Sequence, residues 1–407
     1  MGFIISTNCP LASQSKGILF CDEINRYIQI RFSYIGITSI ALLLQEYTSM
    51  SLEMLEGATI QKATTYPLQW RSRVYAIIGL VLLLGVVLAA TSAIGSTHIP
   101  FATLCAVLLS KLPFIEIDPT WASNIEIIIL DIRLPRLFLA GLVGAALSVA
   151  GATYQGLFRN PLADPYLIGV SQGAALGAVI GFLLPASWQT ASIPLLAFAG
   201  ALLAVAVVYS IARVGKTLPM TTLILAGVAL GAFLAAITYY LMIASGDKLH
   251  GIISWLLGSF SLTSWWQVTI VTPYILIGVI IIWLHARPLN VMQLDEEQAQ
   301  QLGINIERVK LILLGAATLI TAAAVCFCGI IGFVGIIIPH AVRLVWGPDH
   351  RFLLPLATLA GAIFLILADT AARTLLAPTE IPVGAITAFL GAPFFLYLLR
   401  QKKRAIF

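Results

Sequence analysis

The chain has 407 residues, 59% of them hydrophobic and only 10% charged, against about 45–50% and about 25% in a soluble domain. A surface needs polar side chains to stay in water, so this composition excludes a soluble enzyme, a nucleic-acid-binding protein and a disordered chain. The net charge of +5 then reads as basic loops on the cytoplasmic face of a membrane, not as a footprint for nucleic acid.

About 240 of the 407 residues are apolar, enough for about ten helices of about 20 residues that cross the hydrocarbon. Taken in order, residues 1–70 stand apart. They mix polar residues with one short apolar stretch at 34–44, and are expected to be an extension of uncertain status, such as a mis-assigned start. Continuous apolar runs follow, which exclude the short alternating segments of a β-barrel. Spans are predicted near 74–95, 135–157, 166–185, 191–212, 221–243, 267–285, 309–328, 331–346, 353–371 and 382–399. Residues 96–132, with Pro100, Pro113 and Pro119, are expected to form a long loop. Residues 245–263 are a second loop with a short helix around Trp255, and residues 287–308 are a polar one. With ten helices, fourteen Lys and Arg fall on one side and five (Lys111, Arg133, Arg136, Lys248 and Arg373) on the other. That asymmetry places both ends of the ten-helix core in the cytoplasm.

Glycine at 169, 173, 177 and 181 recurs every four residues, a smooth ridge on which another helix can pack closely. Cys326 and Cys328 point to different faces of an apolar helix and read as small packing residues. None of the five histidines has metal-ligand spacing, and neither a metal nor a cofactor is implied. Gly215-Lys216-Thr217 resembles the end of a phosphate-binding loop, but Ser210 stands where that loop needs glycine, so it reads as a loop after a span. Energy from nucleotide must then come from another chain. Ionisable residues inside the spans are nearly confined to Asp369, with Arg373 four residues on in reach of an ion pair. This makes a proton-coupled secondary transporter the weaker alternative; a membrane scaffold that transports nothing is a third reading.

Three segments are unusual for plain spans. Arg133-Leu-Pro-Arg136 puts two arginines on the outside at the start of a helix, against the topological bias and suited to carboxylates. Arg-Asn-Pro-Leu-Ala-Asp-Pro at 159–165 breaks the chain twice on the cytoplasmic side, a rigid turn at the mouth of a bundle. The polar loop after Pro288 carries Leu294, Ala299 and Leu302 among acids and amides, with Gly303 as a helix stop, and suits docking to a partner.

Together these segments resemble the FecCD-type permeases of ABC importers, which carry iron-siderophore complexes, haem and cobalamin. The likeness runs from about residue 74 to the C-terminus. It rests on Arg133-Leu-Pro-Arg136, on Gly-Ala-Thr-Tyr-Gln-Gly-Leu-Phe-Arg-Asn-Pro-Leu-Ala-Asp-Pro at 151–165, and on Leu-Ala-Gly-Val-Ala at 225–229. Trp-Leu-Leu-Gly-Ser at 255–259, Gly-Phe-Val-Gly at 332–335 and Pro339-His340-x-x-Arg343 extend it. Asp369-x-x-x-Arg373, Glu-Ile-Pro-Val-Gly at 380–384 and Gly-Ala-Pro-Phe at 391–394 complete it. The resemblance implies an all-α integral membrane fold, a type II importer bundle of about ten helices like the cobalamin permeases. Residues 71–407 would be the permease domain, paired with a second copy as a homodimer in the cell (cytoplasmic) membrane. Two cytoplasmic ABC ATPase subunits and a periplasmic or lipid-anchored substrate-binding protein are the implied partners, beside the lipid bilayer. Arg133, Arg136 and Arg373 match positions that dock the binding protein. Asn160, Pro161 and Leu162, with Thr221 and Thr222, match a cytoplasmic gate. Leu294, Glu296, Ala299, Leu302 and Gly303 match the loop that sits in the ATPase cleft.

Overall fold

Backbone inside a bilayer has no water to satisfy it, so apolar runs must close their own hydrogen bonds as helices. The computed structural model describes residues 70–95, 99–111, 121–294 and 296–404. The expected N-terminal extension lies outside these but for its last residue, and residues from Arg73 onward form one compact unit. In chain order the helices are α1 (Trp70–Ala93), α2 (Phe101–Leu109), α3 (Ser123–Leu157), α4 (Val170–Leu183) and α5 (Ala186–Ala212). Then come α6 (Met220–Ala244), α7 (Leu249–Leu256), α8 (Trp265–Leu284), α9 (Ala286–Val291) and α10 (Glu296–Gln301). Last are α11 (Ile306–Cys328), α12 (Val334–Trp346), α13 (His350–Thr374) and α14 (Val383–Arg404). Seven of them, α1, α3, α5, α6, α8, α11 and α13, are long and apolar enough to cross a membrane, and α4, α12 and α14 supply three shorter apolar helices. Each of these ten answers to one predicted span.

One boundary differs in kind. Residues 123–132 are helix, not loop, so α3 starts twelve residues before the predicted 135. Pro135 invites the wrong reading because proline favours the first turn of a helix. Here Ile128–Arg133 winds as a π-helix just before it, and that wider turn lets the helix run on into a residue that donates no hydrogen bond. The expected loop also contains α2, and the polar loop at 287–308 contains α9 and α10.

From Leu134 to Leu157, α3 is buried almost throughout, with α11 and α13 against it. Small residues make this possible. A Cβ on Gly144 would run into Gly361 O of α13, and one on Gly151 into Gly335 O of α12. The predicted ridge on α4 does the same against α5: Gly173 lies on Gly200, Gly177 on Leu196 and Gly181 on Ile193. Gly169 plays another part. With φ 86° it joins the 3-10 turn Pro165–Ile168 to α4, a conformation glycine adopts without a Cβ clash. Cys326 and Cys328 are buried and donate to the carbonyls of Ala323 and Ala324.

The contacts define two ends of the bundle. The start of α3, the last turns of α1 and α13 and the start of α14 meet at one, here the upper end. At the lower end lie the close of α3, α9, the start of α13 and Arg73 near the start of α1, whose Nε donates to Trp346 O of α12. Arg133, Arg136 and Arg373 thus share one end, and Arg159 and Arg351 share the other, as the charge count requires.

Candidate functional site

At the upper end α3 delivers Arg133 and Arg136, and α13 delivers Asp369 and Arg373. All four are buried: Arg133 is 4% exposed, Arg136 and Arg373 7%, and Asp369 0%. Arg136 is the hub. Its Nε lies 3.0 Å from Asp369 Oδ2 and its Nη2 2.8 Å from Oδ1, while Nη1 donates to Glu380 Oε1 at 2.9 Å. One planar guanidinium therefore holds two carboxylates from two segments, which the fork geometry of arginine permits. Arg373 Nε stands 3.9 Å from Asp369 Oδ2, the pair expected from their spacing, and its Nη2 donates to Thr91 O. Arg133 Nη1 donates to Ser92 O and Ala93 O at 2.7 and 3.1 Å. Both of these arginines therefore satisfy carbonyls left open at the C-terminal end of α1.

Only the Glu380 side of this network reaches the surface. Its side chain is 38% exposed, and Ser261 Oγ donates to its Oε2 at 2.5 Å. Burial pushes the Glu380 carboxyl up, but the hydrogen bonds from Arg136 and Ser261 outweigh it and hold the group below the usual carboxylate value.

At the lower end α3 closes with two paired bonds: Arg159 N donates to Gly156 O and Asn160 N to Gln155 O. This is the hydrogen-bond pattern of a Schellman stop, which usually places glycine at the left-handed position. Arg159 occupies it here, with φ 49°. Asn160 Oδ1 then accepts from Leu162 N at 2.9 Å, Pro161 stops any continuation, and Leu162 is left exposed. Burial pushes the Asp164 carboxyl up to about 6 against the hydrogen bond it accepts from Tyr166 N.

The segment leading to α10 is fastened to this turn. Arg159 Nε donates to Met292 O at 2.8 Å and Gln293 Nε2 to Gly156 O at 2.9 Å. On its other side Asn290 Nδ2 donates to Asp349 Oδ1, and Asn290 Oδ1 accepts from His350 N. Glu296 opens α10, Ala299 is fully buried, and Leu294 and Leu302 are exposed. Gly303, with φ 80°, ends the helix: Gly303 N donates to Gln300 O and Ile304 N to Ala299 O. The expected helix stop is thus present, and the two exposed leucines flank a short polar helix.

Asp349 ties α9 to α13. Burial pushes its carboxyl up, but hydrogen bonds from Arg351 and Asn290 prevail and hold it at about 2, below its ordinary 3.8. A carboxyl with a lowered folded-state pKa contributes stability above its unfolded pKa and loses it as the pH falls through the folded value. The gap in melting temperature between wild type and Asp349→Asn should therefore be full above about pH 4 and close as the pH falls from 3.8 toward 2. Differential scanning fluorimetry of both proteins in detergent checks this; a gap that stays constant to pH 2 refutes it.

Thr221 and Thr222 lie in the first turn of α6, below the site where Gly227 packs against the backbone of Leu167 and Ile168. The chain that follows the Asn160–Leu162 turn and the helix that carries the two threonines are thereby in contact. Above it a groove of about 460 Å³ opens between them, lined by Asp164, Tyr166, Gln172, Gly227 and Gly231 among others.

Several positions escape a reading by pattern. Asp369 and Arg136 are 233 residues apart. Gln155, buried in α3, donates to Gly335 O and accepts from Arg343 Nη2 at 3.0 Å, and neither it nor Asn290 nor Gln293 carries a local signature.

A bundle of apolar helices long enough to cross a membrane, with a buried ion-pair network at one end and a fastened turn at the other, is a multi-pass membrane protein. The chain matches the FecCD transport family over residues 36–401, and it belongs to that family. The match begins inside the segment where no family counterpart was expected. The cobalamin import system permease protein of Halobacterium salinarum is 48% identical over 278 residues, 68% of this chain and 74% of that one. The hemin transport system permease protein of Yersinia pestis is 41% identical over 334 residues, 80% of this chain and 96% of that one. A solved structure of an inward-facing metal-chelate type ABC transporter superposes with a TM-score of 0.69 at 31% identity, covering 80% of this chain and 98% of that one.

Proposed function

We propose that the chain is the membrane-spanning subunit of a binding-protein-dependent ABC importer for a corrinoid or an iron complex, haem or siderophore. The observation that carries this is the lower end, where a short helix flanked by exposed Leu294 and Leu302 is fastened to the turn holding Asn160 and Leu162. An ATPase subunit that grips α10 pulls on that turn. The substrate class follows the relatives, which import cobalamin and hemin.

In this reading the lower end faces the cytoplasm, as its basic residues favour, and both ends of the core lie there. Two copies meet across the exposed face of α6, which carries Leu225, Val228 and Phe233. Substrate passes between them, past Asn160, Pro161, Leu162, Thr221 and Thr222 as the gate. The binding protein docks at the upper end. Because Arg133, Arg136 and Arg373 are turned inward, docking proceeds by exchange, an incoming carboxylate taking the place of Glu380 on Arg136. Closure of the ATPases opens one side as the other shuts.

The test is uptake of cobalamin, haem and ferric siderophores into proteoliposomes holding the permease with its ATPase and binding protein. Uptake of one class that requires internal ATP and the binding protein is expected. Uptake driven by a pH gradient without ATP would overturn the reading in favour of the secondary transporter.

A further inference from the structure

A second basic site lies at the lower end, where α5 ends and α11 begins. The end of α5, the hairpin that follows it and the first turns of α11 enclose a pocket of about 150 Å³. Arg213, Lys216 and Arg308 line it, with Tyr209, Glu307 and Leu311. The hairpin contains the Gly215-Lys216-Thr217 segment that fails as a nucleotide loop.

The hairpin is built, not loose. Val214 and Thr217 exchange backbone hydrogen bonds at 3.0 Å, and Gly215 turns between them with φ 61°. Its far end is clamped to α11: Leu218 N donates to Glu307 Oε2 at 2.9 Å, and Lys310 Nζ donates to Leu218 O and to Glu307 Oε1. Lys310 is 2% exposed, so the clamp is an interior one.

That clamp decides the charge of the pocket. Glu307, the only acid in its wall among the described residues, spends both oxygens on Leu218 and Lys310. Arg213 uses Nε on Gly215 O at 3.0 Å, which leaves its terminal nitrogens. The side chains of Lys216 and Arg308 have no acidic partner among the described residues. Three cations thus line one pocket with no anion left for them among the described residues, at the edge of an apolar surface. Ile211 and Val214 are each 61% exposed and Leu311 48%, so the pocket sits where helix meets headgroup. A soluble anion needs no apolar border; a lipid with a charged phosphate and acyl chains fits both halves.

We propose that this pocket binds the phosphodiester of an anionic phospholipid. The purified full chain is delipidated and titrated with phosphatidylglycerol, with phosphatidylcholine of the same acyl chains, and with inorganic phosphate, and bound lipid is read by native mass spectrometry. Phosphatidylglycerol should be retained at least tenfold over phosphatidylcholine, and inorganic phosphate at equal concentration should not displace it. Lys216→Glu, on an exposed loop, should lower retention about fivefold or more, and Arg213→Gln with Lys216→Gln and Arg308→Gln should abolish the preference. The charge-preserving variant Arg213→Lys with Arg308→Lys should keep it. Equal retention of the two lipids by wild type, or an unchanged preference in Lys216→Glu, overturns the proposal. Displacement by inorganic phosphate would mean a free-anion pocket and overturns the lipid assignment.

Discussion

Arg136→Ala should destabilise the protein by about 3–5 kcal/mol, the loss typical when one partner of a buried ion pair is removed. The size follows from what is left behind. Asp369 has no exposed surface, and without Arg136 its nearest cation is Arg373, whose Nε is 3.9 Å away. A carboxylate so placed has lost its main hydrogen-bond donors away from water, which raises the energy of the folded state. Glu380 lies nearer the surface and can turn to water. The loss should therefore trace to Asp369, and the double variant Arg136→Ala with Asp369→Ala should recover most of it. Arg136→Lys should not rescue, because an ammonium cannot hold both carboxylates of the fork. Denaturant unfolding in detergent of the two single variants and the double closes the cycle. Additive losses at the two sites would show that the pair contributes no coupling.

What the sequence discloses about this molecule divides by distance along the chain. The seven spans and three shorter apolar helices are legible because a helix in hydrocarbon needs an unbroken apolar run, and that is a local property. Gly303 is legible for the same reason: a helix stop is decided within a few residues, and the structure has it left-handed at the end of α10. So is the Asp369 and Arg373 pair, four residues apart on one face. Arg136 is different. Its sequence neighbours mark it as unusual, but nothing local says that its carboxylates are Asp369 and Glu380, because only the packing of α3 on α13 brings them together. The burial of all three arginines is hidden likewise; a guanidinium at the predicted edge of a span reads as exposed until its carbonyl partners on α1 are seen. Pro135 shows a local rule misapplied. Proline marks a helix start in most settings, and the π-helical turn that carries α3 through it has no signature in composition. Arg159 is the reverse case, since a left-handed helix stop is sought at glycine and this one is an arginine.

That arginine carries the second large effect. On the function proposed above, Arg159→Gly combined with Gln293→Ala should uncouple transport: uptake per ATP hydrolysed should fall at least tenfold while hydrolysis by the assembled complex continues. A non-glycine residue in the left-handed region is disfavoured by about 1–2 kcal/mol, so glycine at 159 should relax the turn, not damage it. What it removes is the bond from Arg159 Nε to Met292 O, and Gln293→Ala removes the bond to Gly156 O. These are the fastenings between the segment that leads into α10 and the turn bearing Asn160 and Leu162. Asn290 would still hold α9 to Asp349 and His350, so α10 keeps its seat on the bundle while its link to the turn is lost. A side chain kept at a strained backbone position, when glycine would fit better, is explained if its reach matters more than its conformation. The measurement is the ratio of substrate taken up to phosphate released in proteoliposomes, with the melting temperature of the variant as control. Parallel loss of uptake and hydrolysis would mean that the turn only seats the ATPase. An unchanged ratio would mean that the movement reaches the gate by another route, the candidate being Arg343, Gln155 and the packing of α12 on α3.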